Sequence, residues 1–234
     1  ITCYPPGADK TNAARSQVQA FLGNAQAGHF SVSGETVTGP SGDSGFRRLI
    51  LHYAHLAEVA GGVHGFLIGS EMRGLTWLRD AAGRFPFVDG LCDLAADVRA
   101  VLRAGTKITY AADWSEYFGF QPGDGSGEVR YHLDPLWASP AIDAVGIDNY
   151  MPLSDWQDGD TVAGNPDGFR HAEDAAAMRA HITSGEGFDW YYASAADRRA
   201  RNRTPITDGM AGKPWVYRYK DIESWWDNFH YERG

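Results

Sequence analysis

A short apolar run ends in a carboxylate at Val63-His64-Gly65-Phe66-Leu67-Ile68-Gly69-Ser70-Glu71. A run of this length and composition is typical of a β-strand that is covered on both faces, as in a parallel sheet. The polar Ser70 and Glu71 mark the carboxyl end of that strand. In parallel α/β folds, ligands and catalytic groups gather at this end. The run therefore predicts a parallel strand that carries a candidate functional carboxylate at its carboxyl edge.

The same unit recurs twice further along the chain. A predicted strand over 107–112 ends at Asp113-Trp114, and a predicted strand over 142–147 ends at Asp148-Asn149-Tyr150. The strand ends at positions 71, 113 and 148 are 42 and 35 residues apart, the size of a strand, a helix and their loops. Apolar residues at helical spacing predict one helix over 46–60 and another over 91–102.

This order of elements predicts an α/β fold with a parallel sheet. A TIM (β/α)8-type barrel explains a carboxylate at each strand end better than a doubly wound sheet does. No Gly-x-Gly-x-x-Gly or P-loop motif follows a strand, so we expect no nucleotide and no other cofactor. Only three strands are secure, with weaker candidates over 1–4 and 215–219, whereas a complete barrel has eight in about 250 residues. We therefore expect a single domain over 1–234 that is an incomplete barrel, with strands missing at both ends.

The composition of the 234 residues is that of a globular protein, with 43% hydrophobic residues. Thirty acidic against twenty-one basic residues give a net charge of -9, which opposes binding to a nucleic-acid backbone. No apolar stretch of about 18 residues predicts a membrane span. The histidines contain no His-Glu-x-x-His motif, and Cys3 and Cys92 fit neither a metal pattern nor a disulfide framework, so we expect no metal site.

Glu71 is the first candidate catalytic residue. A carboxylate at the end of an apolar strand can be partly desolvated, which raises its pKa toward that of a general acid. The structural alternative is an ion pair with Arg73 or Arg79.

Asp113 and Asp148 are the natural partners of Glu71, because glycoside hydrolysis uses two carboxyl groups. These groups lie about 5 to 5.5 Å apart for retention and about 6.5 to 9.5 Å apart for inversion. The alternative is that one or both aspartates cap a helix or anchor a loop. Flat aromatic faces at the strand ends suit sugar rings, although such residues also pack loops. The predicted substrate contacts are Ser70, Arg73, Trp114, Glu116, Tyr117, Asn149, Tyr150 and Trp156.

Several runs of the sequence resemble a known family. They include Tyr110-Ala111-Ala112-Asp113-Trp114-Ser115-Glu116-Tyr117, the apolar run that ends at Glu71, and residues 47–54, 133–138, 145–156 and 213–221. Together they resemble the gene transfer agent TIM-barrel-like domain over nearly the whole chain. The resemblance implies a glycoside-hydrolase-like barrel inside a tail or host-specificity protein of gene transfer agents and related tailed phages.

The resemblance also implies roles for residues. In the related hydrolase clan the acid/base Glu follows an Asn at the end of the fourth strand, and a nucleophilic Glu ends the seventh. Glu71 takes the acid/base position here but follows Ser70, and the second carboxylate is expected beyond Gly234, or from Asp113 or Asp148 instead. The clan's Asn contacts the sugar 2-hydroxyl, and such a bond strengthens in the transition state.

The implied partners are a cell-surface glycan, either peptidoglycan or capsular polysaccharide, and other tail proteins. The implied location is the tail of a virion-like particle that is made in the bacterial cytoplasm. A catalytically silent structural or glycan-binding barrel is the main alternative, and a free-standing polysaccharide-degrading enzyme is a third. An incomplete barrel leaves sheet edges uncovered, so we also expect self-association.

Overall fold

A computed structural model gives the fold and describes residues 7–234. The chain divides into two compact units. The first runs up to Asp148 and includes Arg233–Gly234, and the second is Asn149–Glu232. The strand predicted over 1–4 lies outside the described residues.

The first unit alternates helices and strands from its amino-terminal helix to the strand that ends at Asp148. A 3-10 turn at Ala27–His29 and an antiparallel hairpin precede the βα units. The elements are α1 (Asn12–Leu22), β1 (Ser31–Ser33), β2 (Thr36–Thr38), α2 (Phe46–Val59), β3 (Gly65–Ser70), α3 (Arg73–Thr76), α4 (Pro86–Val101), β4 (Lys107–Asp113), α5 (Asp134–Trp137) and β5 (Gly146–Asp148).

The central feature of this unit is a parallel sheet in the order β3-β4-β5. Its strands β3 and β4 and the helices α2 and α4 confirm the corresponding predictions. Helix α4 begins five residues before the predicted start, because Pro86 occupies its first turn, where a missing N–H costs nothing. Within residues 7–234 the sheet has three strands and does not close into a barrel.

The third strand is shorter than the predicted span 142–147. Before Gly146, the chain is held to β4 by an irregular set of bonds around Asp143. The Asp143 carboxylate accepts the Ile108 N–H at 2.8 Å, and the Thr109 hydroxyl donates to the Ala144 carbonyl at 2.7 Å. These side-chain bonds replace the regular ladder, so the strand begins only at Gly146.

One face of the sheet is largely buried, and α4 packs against β3. Ile68, Ile108, Tyr110 and Ala112 have no exposed surface. On the opposite face Leu67 is paired with Thr109 and remains 52% exposed. The prediction that this strand is covered on both faces is therefore wrong: β3 lies at the edge of the described sheet and is covered on one side.

The helices of the first unit form the main apolar core, with α4 packed against α1 and α2. The core residues that these helices bury include Val18, Leu22, Leu51, Ala54, Leu91, Leu94 and Val98. Helix α1 comes so close to α4 that a Cβ atom at Gly90 would lie 2.3 Å from a Leu22 methyl carbon. A larger residue at position 90 would therefore require the Leu22 side chain to move.

The second unit consists of short elements joined by long loops. They are α6 (Ala175–Ala180), β6 (Trp190–Tyr191), α7 (Ala195–Ala200), β7 (Thr204–Pro205) and α8 (Ile222–Asp227), with 3-10 turns at His181–Thr183, Gly209–Ala211 and Pro214–Tyr217. The strand predicted over 215–219 is wrong. Pro214 occupies the first position of a 3-10 turn there, where its fixed φ and missing N–H favour a helical start over a strand.

Polar contacts hold this second unit together. The Arg203 guanidinium binds both carboxylate oxygens of Asp167, at 2.8 and 2.6 Å, and one oxygen of Asp155 at 2.8 Å. The buried Lys220 ammonium donates to the carbonyls of Pro152 and Ser184 at 2.8 and 2.7 Å. Because burial disfavours its charge, the pKa of Lys220 falls to about 8.

No helix among residues 7–234 is both long and apolar enough to cross a membrane.

The exposed edge of β3 leads to the first testable prediction. Unpaired strand edges with apolar side chains promote pairing between chains, so we expect concentration-dependent self-association in sedimentation velocity. Leu67→Lys should weaken the association about tenfold or more, because burial of a leucine contributes about 1.5–3 kcal/mol. Val32→Lys is the matched control, since Val32 is 49% exposed on the hairpin strand β1. A monomer at high concentration, or equal effects of both variants, would contradict the prediction.

Candidate active site

The carboxyl ends of β3, β4 and β5 lie side by side because the strands are parallel neighbours. Asp113 pairs directly with Asp148, and Ser70 pairs with Ala111, two positions earlier on β4. Residues two positions apart lie on the same face of a strand, and paired residues share a face. Ser70, Asp113 and Asp148 therefore lie on the face opposite the buried Tyr110.

A hydrogen bond joins the two outer strands across β4. The Ser70 hydroxyl donates to Oδ2 of Asp148 at 2.8 Å. The residues between them are small, Ala111 on β4 and Gly146 on β5. A Cβ atom at Gly146 would lie 2.5 Å from the Tyr110 carbonyl oxygen, so the close approach of β5 to β4 requires glycine there. The small side chains leave open the path that the Ser70 to Asp148 bond crosses.

Glu71 follows a β-bulge at the end of β3. Leu67 pairs with Thr109 and Ser70 with Ala111, so three steps along β3 match two along β4. Glu71 then has φ 52 and donates its N–H to the Ala111 carbonyl at 2.8 Å. For a residue with a Cβ atom this left-handed conformation costs about 1–2 kcal/mol. Bulges and strained residues of this kind recur beside active sites, where they redirect a side chain.

The surroundings of Glu71 differ from both sequence-based expectations. Its side chain is exposed, so the predicted partial desolvation is wrong in this structure. Neither arginine pairs with Glu71 among residues 7–234. Arg79 is buried and binds Asp9 and Glu128, each at 2.7 Å. The Glu71 carboxylate is thus free to meet a ligand from solvent.

Arg73 and Ser115 hold the Asp113 carboxylate. Oδ1 of Asp113 accepts the Ser115 N–H at 2.7 Å and also the Ser115 hydroxyl. The Arg73 guanidinium donates to the same hydroxyl, lies 3.9 Å from Oδ1, and stacks 4.9 Å over the Trp77 ring. Asp113 therefore anchors the loop after β4, as the structural alternative for this residue predicts. The Arg73 guanidinium adds a positive charge beside the strand ends.

Glu116 lies behind the sheet and is fully buried. Its carboxylate accepts the Thr76 hydroxyl, the Tyr110 hydroxyl at 3.1 Å and the Asp113 N–H at 3.1 Å. Burial raises the pKa of Glu116 to about 7, and these hydrogen bonds offset part of that rise. Burial also raises the pKa of Tyr110 far above its ordinary value.

The burial of Glu116 corrects its predicted role. Tyr117, which follows it, is also buried. A ligand that comes from solvent does not reach side chains with no more than 2% of their surface exposed. The predicted direct substrate contacts of Glu116 and Tyr117 are therefore not compatible with this structure.

The remaining predicted residues fall into two groups. Trp114 is half-buried in the first unit, directly after β4. Asn149, Tyr150 and Trp156 belong to the second unit, where Asn149 is exposed, Tyr150 is 71% exposed and Trp156 is half-buried. The candidate active site of the first unit is made of Ser70, Glu71, Arg73, Asp113, Trp114 and Asp148.

Three residues of this region were missed by sequence reasoning: Thr76, Tyr110 and Ser115. Each has a weak signal in the sequence. Ser115 stands two residues after Asp113, the spacing of an Asx turn. Tyr110 and Thr76 carry hydroxyls in apolar surroundings, which indicates a buried polar partner. Nothing in the spacing shows that this partner is Glu116.

The family of the chain follows from a comparison with family models. The model described as the GTA TIM-barrel-like domain, where GTA denotes gene transfer agent, matches residues 44–234. The chain belongs to this family. The match starts just before α2 and contains all the residues of the candidate active site, whereas α1 and the β1-β2 hairpin precede it. The comparison with curated proteins gives no match.

The match confirms the resemblance and a TIM-barrel-like fold in a gene-transfer-agent context. The sheet of this GTA TIM-barrel-like domain fits that fold, since its strands are parallel and helices connect them.

Among residues 7–234 no group of three His, Cys, Asp or Glu side chains is placed to hold a metal ion.

The raised pKa of Glu116 predicts how the stability of this GTA TIM-barrel-like domain depends on pH. Below its ordinary pKa of 4.5 the group is protonated in both folded and unfolded chains. Between about pH 4.5 and 7 the unfolded chain ionises this group while the folded chain keeps it protonated, so stability falls as pH rises. The loss levels off above about 7, where the folded chain bears the buried charge. The expected loss is at most about 3 kcal/mol, at 1.36 kcal/mol per unit.

Urea unfolding of the wild type and of Glu116→Gln at pH 5 and pH 8 measures this loss. The wild type should lose about 2 kcal/mol more than the variant between the two pH values, since part of the loss is already present at pH 5. Glu35→Gln, at an exposed turn residue, is the control and should follow the wild type. Identical pH dependence in the wild type and Glu116→Gln would show that Glu116 is not the source of the pH-dependent loss of stability.

The left-handed conformation of Glu71 predicts an unusual response to glycine. Glu71→Gly should raise the free energy of unfolding by about 0.5–1 kcal/mol, because relief of strain exceeds the added entropy of the unfolded chain. Glu35→Gly should lower it by about 0.4–1 kcal/mol, since Glu35 has no positive φ. Thermal or urea unfolding compares the two. A loss at position 71 equal to that at position 35 would show that Glu71 is not strained.

Proposed function

We propose that the chain is part of a glycoside-hydrolase-like barrel in the tail of a gene transfer agent or related phage. In this proposal the barrel acts on or binds a cell-surface glycan, peptidoglycan or capsular polysaccharide, during host recognition or entry. The observation that carries the proposal is the alignment of Glu71, Asp113 and Asp148 at the carboxyl ends of three neighbouring parallel strands. Such an edge is where barrel enzymes place their chemistry.

Glu71 serves as the general acid/base in this proposal. The bulge and the left-handed backbone turn its exposed carboxyl away from the regular strand. A general acid must be able to reach the leaving oxygen of the substrate, and an exposed carboxyl meets that requirement. A bound sugar would then supply the desolvation that the free site lacks.

The second carboxyl comes from Asp113 or Asp148. Neighbouring strands are about 4.8 Å apart, so Asp113 is one strand from the backbone of Glu71 and Asp148 is two strands away. These are spacings between strand backbones, whereas the distance between the carboxyl groups themselves decides the outcome: about 5 to 5.5 Å for retention and about 6.5 to 9.5 Å for inversion. Arg73 places a positive charge beside Asp113, with Nη1 3.9 Å from Oδ1.

Aromatic rings supply the proposed sugar contacts. Trp114 follows β4 directly and offers an indole face near the strand ends. In the second unit the exposed ring of Tyr150 offers another flat apolar surface, and Asn149 and Trp156 are proposed contacts there too. The proposal includes an incomplete barrel, because the open face and edge of β3 are the places where further strands would pack.

A catalytically silent, glycan-binding barrel is the second candidate function. The observation that favours it is the bond from the Ser70 hydroxyl to Asp148. This bond uses a side chain at the position where the clan has a sugar-contacting Asn. It also occupies one oxygen of a possible second carboxyl. If Ser70 and Asp148 only hold each other in place at the binding surface, the barrel would bind glycan without cleaving it.

Release of reducing sugars from peptidoglycan and from capsular polysaccharide tests the two candidates. General acid catalysis contributes about 10²–10⁴-fold, so Glu71→Gln should lower release by at least about 100-fold while binding of the glycan remains. Glu35→Gln, which alters an exposed carboxyl on the hairpin, should keep full activity. Binding by all three proteins without any release would establish the silent barrel. Absence of both binding and release in the wild type would refute both candidates.

A further inference from the structure

The buried Glu116 carboxylate joins the turns that carry Glu71 and Asp113. On one side it accepts the Asp113 N–H at 3.1 Å. On the other it accepts the Tyr110 hydroxyl at 3.1 Å, and the oxygen of that hydroxyl accepts the Met72 N–H at 2.7 Å. Met72 is the residue after Glu71. One continuous path of hydrogen bonds thus runs from the end of β3 to the end of β4.

This path is enclosed by the fold. Tyr110, Glu116 and Thr76 have no exposed surface. The Thr76 hydroxyl also donates to the carboxylate from α3, so donors from α3 and β4 converge on one group. A buried polar network of this kind is rigid when every member is satisfied and costly when one partner is lost.

We infer that Glu116 is a positioning residue that sets the relative placement of Glu71 and Asp113. It does so through the Asp113 N–H and, by way of the Tyr110 hydroxyl, through the Met72 N–H. The inference rests on the proposed function for its consequence in catalysis or binding, whereas the coupling itself is a property of the fold. Glu116 touches no substrate, because it is buried behind the sheet.

The protonation state of Glu116 determines which hydrogen bonds the network can form. An ionised carboxylate only accepts hydrogen bonds, whereas a protonated one must also donate. Its three partners all donate to it in the ionised arrangement, so protonation forces at least one of them to reorient. The titratable groups that face it are Asp113 and Tyr110 on β4. The guanidinium of Arg73 on α3 instead donates to the Ser115 hydroxyl and lies 3.9 Å from the Asp113 carboxylate.

Amide NMR of the intact chain tests the coupling without any glycan. The Met72 and Asp113 amide shifts should titrate together, with a midpoint near the pKa of about 7 of Glu116. In Glu116→Gln both titrations should vanish. In Tyr110→Phe the Met72 titration should vanish while that of Asp113 remains, because only the first path runs through the hydroxyl. Independent midpoints, or titrations that persist in Glu116→Gln, would overturn the inference.

Glycan assays of the same variants test the positioning role. Tyr110→Phe retains the ring and should fold, and its hydrolysis or binding should fall by up to about 100-fold, as expected for misplacement by about 1 Å. Glu116→Gln should also lose the pH dependence near 7. Unchanged activity in both variants would overturn the positioning role. If the wild type neither binds nor cleaves glycan but the amides titrate together, the coupling stands and the proposed function fails alone.

Discussion

The candidate active site depends on the register of β4 between its two parallel neighbours. Ile108, Tyr110 and Ala112 are buried on one face of β4, which leaves Asp113 on the other face beside Asp148. A slip of one residue would carry Asp113 into the buried face and bring Tyr110 or Ala112 to the open one. Burial of these apolar side chains opposes that slip, since a buried large apolar side chain contributes about 1.5–3 kcal/mol. The core under the sheet thus selects which carboxylates meet.

Glu116 adds a constraint that apolar packing cannot supply. An isolated buried carboxylate is costly, and it persists here because Thr76, Tyr110 and the Asp113 amide donate to it. Apolar contacts are not directional, whereas these bonds fix the orientation of the loop after β4 and of the turn after β3. The same network explains why strain at Glu71 is tolerated, because the Met72 amide that follows it is held by the Tyr110 hydroxyl.

Much of the first unit could be predicted from local patterns. Apolar periodicity gave α2 and α4, and the apolar runs gave β3 and β4 with their carboxylates at the correct ends. The exposure of Leu67 could not be predicted, because a run of apolar residues does not show which neighbours are present to cover it. The role of Glu116 was missed because its partners lie up to forty positions away and converge only in the folded chain. The 3-10 turn at Pro214–Tyr217 was missed because aromatic and β-branched residues outweighed the preceding proline in the strand prediction.

Ser70 connects the two candidate functions to a single structural choice. The Ser70 hydroxyl can donate to a sugar oxygen or to Asp148 but not to both at once, since it has a single proton, although it can accept a hydrogen bond in either case. In this structure it holds Asp148 at 2.8 Å, across the small Ala111. A sugar that displaces this bond would free the Asp148 carboxylate and accept a hydrogen bond from the Ser70 hydroxyl. The sugar must then compensate for the lost hydrogen bond between Ser70 and Asp148. Where Asp148 is the second carboxyl, catalysis gains if the transition state binds Ser70 or Asp148 more strongly than the two side chains bind each other, whereas a mechanism that uses Asp113 leaves the bond intact.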